Sequence, residues 1–147
     1  MSKYDLELIE YDGLPVLASP KMLRERSIHI CFTTRLGGVS PRPYDTLNLG
    51  ALVGDKPAHV AENRRLAMAA LGLDATRLTT VKQVHGNDVL EITENNVVEN
   101  AAYEPATEAD ALVTCLPDTP LAIFTADCVP VILADAESRK ISVVHAG

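Results

Sequence analysis

Residues 57–71 read as a helix with a signal at each end. Asp55 stands near its cap, Pro57 suits the first turn and Gly72 suits a left-handed stop. Val60, Ala61, Ala67, Met68 and Leu71 share an apolar face, and Glu62, Asn63, Arg64 and Arg65 are expected to face water. The other apolar stretches are short and strand-like. Residues 27–34 alternate, with Ile28, Ile30 and Phe32 on one side and His29, Cys31 and Thr33 on the other. Residues 79–93 form two runs around His85-Gly86-Asn87, which predicts a hairpin with His85 at its tip. Residues 109–114, 121–125, 130–134 and 141–145 read as further strands, the last reached through a polar turn at 135–140, and residues 95–107 as a surface connection. Short strands around one clear helix predict an α+β fold, a mixed sheet of short strands with flanking helices.

Composition narrows the function classes. A chain of 147 residues, 47% hydrophobic and 22% charged, buries a core without disulfide or metal staples and is neither disordered nor fibrous. Thirteen basic against twenty acidic side chains give a formal charge of -7, and no stretch concentrates Lys and Arg, so nucleic acid is not an expected partner. Three cysteines at irregular spacing suit a reducing compartment. The start of the chain lacks the basic and apolar regions of a signal peptide, and Thr125 and Asp127 interrupt the longest near-apolar run, 121–134. The expected location is cytoplasmic, away from membranes.

Residues 35–50 hold Gly37-Gly38, Pro41, Pro43, Asn48 and Gly50, which predicts a long, shaped loop of the kind that carries function. Arg35 beside the amides of Gly37 and Gly38 suits an anion nest, although the spacing is not that of a Walker loop, and a plain surface Arg at a strand end is the alternative. His85, Cys128 and His145 fall at strand ends. Three such ligands plus an open position suit catalytic zinc, a Cys nucleophile with a His base is a second reading, and a buried Cys with turn-satisfying histidines is a third. Asp127 interrupts an apolar run beside Cys128, where it can orient a ligand histidine, act as a general base or cap a turn. Arg64 and Arg65 receive no role, and Cys31 and Cys115 are expected to pack in the core.

Taken in order, the motifs point to a family. Thr33-Thr34-Arg35-Leu36-Gly37-Gly38-Val39-Ser40, Tyr44-Asp45-Thr46-Leu47-Asn48-Leu49-Gly50, Val60-Ala61-Glu62-Asn63-Arg64-Arg65, Gln83-Val84-His85-Gly86, Ala109-Asp110-Ala111-Leu112-Val113-Thr114, Thr125-Ala126-Asp127-Cys128-Val129-Pro130 and Val144-His145-Ala146-Gly147 run through the chain from Ile28 to Gly147. This series resembles the laccase-domain, or YfiH-like, proteins, also called multicopper polyphenol oxidases or peptidoglycan editing factors. The resemblance implies that His85, Cys128 and His145 bind zinc, with copper as the second metal. It also implies phosphorolysis of adenosine, inosine, guanosine and methylthioadenosine to base and ribose-1-phosphate, together with deamination of adenosine. Nucleoside and phosphate are then the small-molecule partners, Arg35, Gly37, Gly38, Asn48 and Gln83 the residues expected to bind them, and Asp127 the group expected to move a proton.

Three alternatives accompany that implication. One is copper-dependent phenol oxidation, which ranks lower because three ligands without further His pairs do not build several copper sites. Another is a Cys128–His145 hydrolase or deamidase, suggested by the family's fold relationship to a bacterial toxin deamidase, and the last is a non-catalytic peptidoglycan-editing role. Members of the family continue well past the His-Ala-Gly motif. The 147 residues are therefore expected to be the N-terminal part of a larger single domain with an incomplete catalytic site, and with an exposed sheet edge that makes the chain unstable, aggregation-prone or a homodimer through that edge.

Overall fold

A computed structural model describes residues 6–97, 105–135 and 137–147. The chain divides into two compact units, one ending at Leu73 and the other beginning at Asp74. Two α-helices with antiparallel and mixed sheets among the described residues make an α+β fold. No helix among the described residues is long and apolar enough to cross a membrane.

The first unit opens with a three-stranded antiparallel sheet in the order β1 (Glu7–Tyr11), β2 (Leu14–Ala18), β3 (Cys31–Thr33). Asp12 and Gly13, with φ of 47° and 82°, make the two-residue turn between β1 and β2. This pair suits that turn because both positions need a left-handed backbone whose twist matches the strands. Leu14, Val16 and Ala18 alternate inward from β2. Helix α1 (Pro20–Arg26) follows, capped by Ser19, whose hydroxyl accepts from Met22 N, and stopped by the left-handed Ser27. The strand expected over 27–34 is thus confined to Cys31–Thr33, because Ser27 belongs to the helix stop.

Helix α2 (Pro57–Ala70) matches its expected bounds, and Gly72 is left-handed with φ 68°. Its faces differ from expectation. Asn63 and Arg64 are buried, at 0% and 8% exposure, whereas Ala61 is exposed. The loop at 35–50 lies over this side of the helix and needs partners for its backbone. Asn63 Oδ1 accepts from Val39 N at 2.8 Å, and its Nδ2 donates to Ser40 Oγ, Thr46 O and Asn48 O. Arg64 Nε donates to Leu49 O at 2.9 Å. A helix wheel counts these two side chains as solvated because it does not see the loop they hold.

The second unit carries a four-stranded mixed sheet in the order β4 (Val89–Ile92), β5 (Ala111–Thr114), β7 (Lys140–Ala146), β6 (Val129–Asp135). β4 runs parallel to β5, and β7 is antiparallel to both β5 and β6. Val81, Ile92, Ala109, Leu112 and Val143 form its buried core. The β6–β7 turn is held by Asp135, which accepts from Glu137 N and Ser138 Oγ.

Two expected features of this unit are replaced. Residues 79–93 are not a hairpin, since Thr79 and Lys82 make single parallel bridges to Leu121 and Glu108 while β4 pairs with β5. Residues 121–125 are not a strand, because Phe124 bonds the side chain of Gln83 through both its N–H and its carbonyl. Cys115 is exposed, contrary to the core position expected for it. The connection expected over 95–107 lies partly outside the described residues.

Candidate metal centre

His85, Cys128 and His145 converge in the second unit, with one ligand atom from each lying within 4.8 Å of the others. Three different local structures bring them there. His145 is on β7, buried at 6% exposure, with its N–H donating to Asp110 O at 2.8 Å. Cys128 immediately precedes β6, whose Pro130 is paired with His145 across the ladder. His85 is in a turn with φ 60° and is exposed. The rings of His85 and His145 meet edge to face, 4.7 Å between centroids. A Cβ on Gly147 would run into the His85 ring and come within 3.2 Å of His145 Cε1, so the glycine lets the backbone pass close to both rings.

Beneath the trio lies Asp110, 2% exposed, on the residue before β5. Its Oδ1 is 2.7 Å from His145 Nδ1 and 3.0 Å from His85 N, and its Oδ2 accepts from Gly86 N at 2.7 Å and Val84 N at 3.2 Å. Burial alone pushes this carboxyl up. The bonds from His145 and from the N–H groups of Gly86, Val84 and His85 outweigh that and hold it at about 2, below its ordinary 3.8.

One separation in the cluster has the size a tetrahedral metal sets. Zinc bonded to sulfur at about 2.3 Å and to nitrogen at about 2.0–2.1 Å holds those two ligands roughly 3.6 Å apart. Cys128 Sγ and His85 Nε2 are separated by 3.6 Å. Buried His145, half-buried Cys128 and exposed His85 could hold an ion through three protein atoms, which in a tetrahedral site would leave a fourth position for water or substrate.

Asp127, the carboxylate that stood out in the sequence, is exposed with Oδ1 3.9 Å from Cys128 Sγ, and the carboxylate that orients a histidine is Asp110. Asp110 carries the same signal that drew notice to Asp127, an acidic residue set against an apolar run, here Ala109 and Ala111-Leu112-Val113. Gln83 uses both ends of its amide on Phe124, each bond 2.8 Å.

The remaining candidates belong to the first unit. Arg35 is exposed, with Nε donating to Asp45 O at 2.8 Å and Nη2 to Asp45 Oδ2 at 3.4 Å. The amides of Gly38 and Val39 donate to Thr46 Oγ1 and Asn63 Oδ1. Gly37 has φ 92°, and a Cβ on Gly38 would strike Thr46 O and the Leu47 backbone. Asn48 bonds Gly50 through both ends of its amide and also donates to Asp55 Oδ2. Burial pushes the Cys31 thiol up to about 11, in keeping with a packing role.

Residues 29–147 match the family model described as multi-copper polyphenol oxidoreductase laccase. The chain is 47% identical over 115 residues to a purine nucleoside phosphorylase of Mycobacterium tuberculosis, covering 78% of this chain and 44% of that protein. It is 39% identical over 131 residues to the purine nucleoside phosphorylase YfiH of Escherichia coli, covering 89% of this chain and 51% of that protein. The crystal structure of the Bacillus licheniformis hypothetical protein YfiH superposes with a TM-score of 0.84 at 30% identity, over 94% of this chain and 51% of that one. The chain thus spans about half the length of these relatives.

Proposed function

We propose, from the premise that this chain belongs to the multi-copper polyphenol oxidoreductase laccase family, that it serves zinc-dependent phosphorolysis of purine nucleosides. The observation that carries this reading is the His85–Cys128–His145 cluster, with its metal-sized Sγ–Nε2 separation, in a chain related to proteins named purine nucleoside phosphorylase. In that reaction the bond from ribose C1′ to the purine breaks, its electron pair leaves with the base, the base takes up a proton, and a phosphate oxygen bonds to C1′. His85, Cys128 and His145 would hold the ion, which would supply a Lewis acid and a water of lowered pKa. Asp127, exposed beside Cys128, is the proton-moving group in this reading. The exposed guanidinium of Arg35 is the anion-binding group of the first unit.

Zinc is favoured over several coppers because the trio is the only group of three or more such side chains among the described residues that could hold an ion. Deamination of adenosine, in which water replaces the 6-amino group and ammonia leaves, is the finer part of the proposal. The His145–Asp110 pair also suits a second reading, with Cys128 as nucleophile, His145 as base and Asp110 as its orienter.

The zinc-loaded protein, incubated with adenosine and phosphate, is expected to release adenine, ribose-1-phosphate and inosine, and His85→Ala and Cys128→Ala are expected to release none. Product formation that survives both substitutions overturns the site. Turnover that survives metal removal by a chelator but is lost on alkylation of Cys128 supports the second reading instead.

A further inference from the structure

Two of the three ligands in the trio hang on one buried side chain. An ionised carboxylate has about four acceptor positions, and at Asp110 four donors occupy them: His145 Nδ1 and His85 N on Oδ1, Gly86 N and Val84 N on Oδ2. The backbone of the same residue is also engaged, its carbonyl accepting from His145 N at 2.8 Å and its N–H donating to Asp88 O at 3.0 Å. No acceptor position remains for solvent or substrate, so Asp110 is built to hold its neighbours.

We propose that Asp110 is the positioning residue of the metal centre, setting the tautomer of His145 and the turn that presents His85. The inference rests on the metal-site reading above and concerns this chain's own atoms. An ionised carboxylate only accepts, so His145 Nδ1 carries the ring proton and the lone pair at Nε2 is turned to the centre. The three N–H groups of Val84, His85 and Gly86 point inward at one carboxylate, a nest of amides that suits a negative charge and stabilises the left-handed backbone at His85. Cys128 makes no such bond, so Asp110 governs the two nitrogen ligands and leaves the sulfur to β6. Asp110→Asn is not a mild change here. An NH2 in the place of Oδ2 faces the N–H groups of Gly86 and Val84, and one in the place of Oδ1 faces His85 N and turns His145 Nδ1 into an acceptor.

The test has a metal-free and a metal-bound arm. In the metal-free protein labelled with 15N, His145 is expected in the Nδ1–H tautomer, and Asp110→Asn is expected to abolish that preference while circular dichroism shows a retained fold. Asp110→Glu, which keeps the charge but moves it by one methylene, serves as the second variant and is expected to restore part of the preference. In the metal-bound arm, competition with a chromophoric chelator is expected to show zinc affinity falling about 10- to 100-fold in Asp110→Asn, with a changed visible spectrum of the cobalt-substituted protein. An Nε2–H tautomer in the unsubstituted protein overturns the proposal, and so does an Asp110→Asn variant with unchanged tautomer, zinc affinity and cobalt spectrum. A parent protein that binds no zinc but shows the Asp110-dependent tautomer overturns the metal-site reading and leaves the positioning role standing.

Discussion

Gln83 and Phe124 are joined by a pair of 2.8 Å hydrogen bonds, side-chain Nε2 to the Phe124 carbonyl and Phe124 N to the side-chain Oε1. The primary amide thus imitates a strand neighbour. It ties the segment that leads into His85 to the segment that leads into Cys128, and so helps fix the distance between an imidazole and a thiol ligand. Gln83→Ala is expected to lower zinc affinity and to destabilise the second unit by about 1–3 kcal/mol, since both bonds that join the two segments are lost. Zinc competition and denaturant unfolding measure the two effects. If Gln83 instead acts on substrate alone, the variant raises KM and leaves zinc affinity unchanged.

Asn63 is the internal support of the 35–50 loop, and its amide answers several backbone groups at once. Asn63→Leu matches its bulk but offers no polar atom. It is expected to cost about 2–4 kcal/mol through orphaned loop groups and to speed amide exchange at Val39. Protection at Val39 equal to that of the parent protein would refute this account of the loop.

Asp55 links acid stability to the same loop. Burial raises its carboxyl, but hydrogen bonds from Ser40 Oγ, Asn48 Nδ2, Lys56 N and His59 Nδ1 outweigh it and hold the group at about 2, below its ordinary 3.8. A carboxyl whose folded pKa is lowered contributes fully above its unfolded pKa and loses that contribution as pH falls through the window between the two. Loosening of the first unit is therefore expected as pH drops from about 4 towards 2, and Asp55→Asn is expected to flatten that part of the profile. Acid titration followed by amide exchange on both proteins checks the prediction. Identical profiles would show that Asp55 is not the responsible group.

Metal removal should act on the second unit. Free zinc at 100 times its Kd is expected to add about 2.7 kcal/mol to unfolding, seen as a rise in Tm that a chelator reverses. Cys128→Ser, which keeps the size of the side chain but weakens a soft ligand, is expected to remove most of that rise. A zinc-dependent Tm shift of the same size in both proteins would take Cys128 out of the donor set.

Local signals were sufficient where an element satisfies itself. Helix α2, the polar turn after β6 and the run of β7 follow from caps, turn residues and apolar patterning alone. The β1–β2 hairpin carries a local signal of the same kind, Asp12-Gly13 between two strand-like runs, that the reading of strands from residue 27 onward does not use. Elements answered from far along the chain were not legible. Residues 84–86 resemble a hairpin tip in isolation, but their N–H groups go to a carboxylate at position 110. Asn63 and Arg64 look solvated until a loop from positions 39–49 lies over them. The same limit applies at the site. His85, Cys128 and His145 could be named from their motifs, whereas Asp110 declares its role only through partners 24 to 35 residues away.

The left-handed backbone at His85 restricts how the donor set can change by mutation. A single position must supply both an imidazole and a φ of 60°, a conformation that histidine tolerates better than most side chains. Cysteine, the other soft donor already present in the trio, lacks histidine's enrichment in that region. Glycine and asparagine suit the backbone but provide no comparable ligand. Exchange of His85 for cysteine therefore strains the turn, whereas aspartate suits the backbone and still offers a ligand, a charged oxygen in place of a neutral nitrogen.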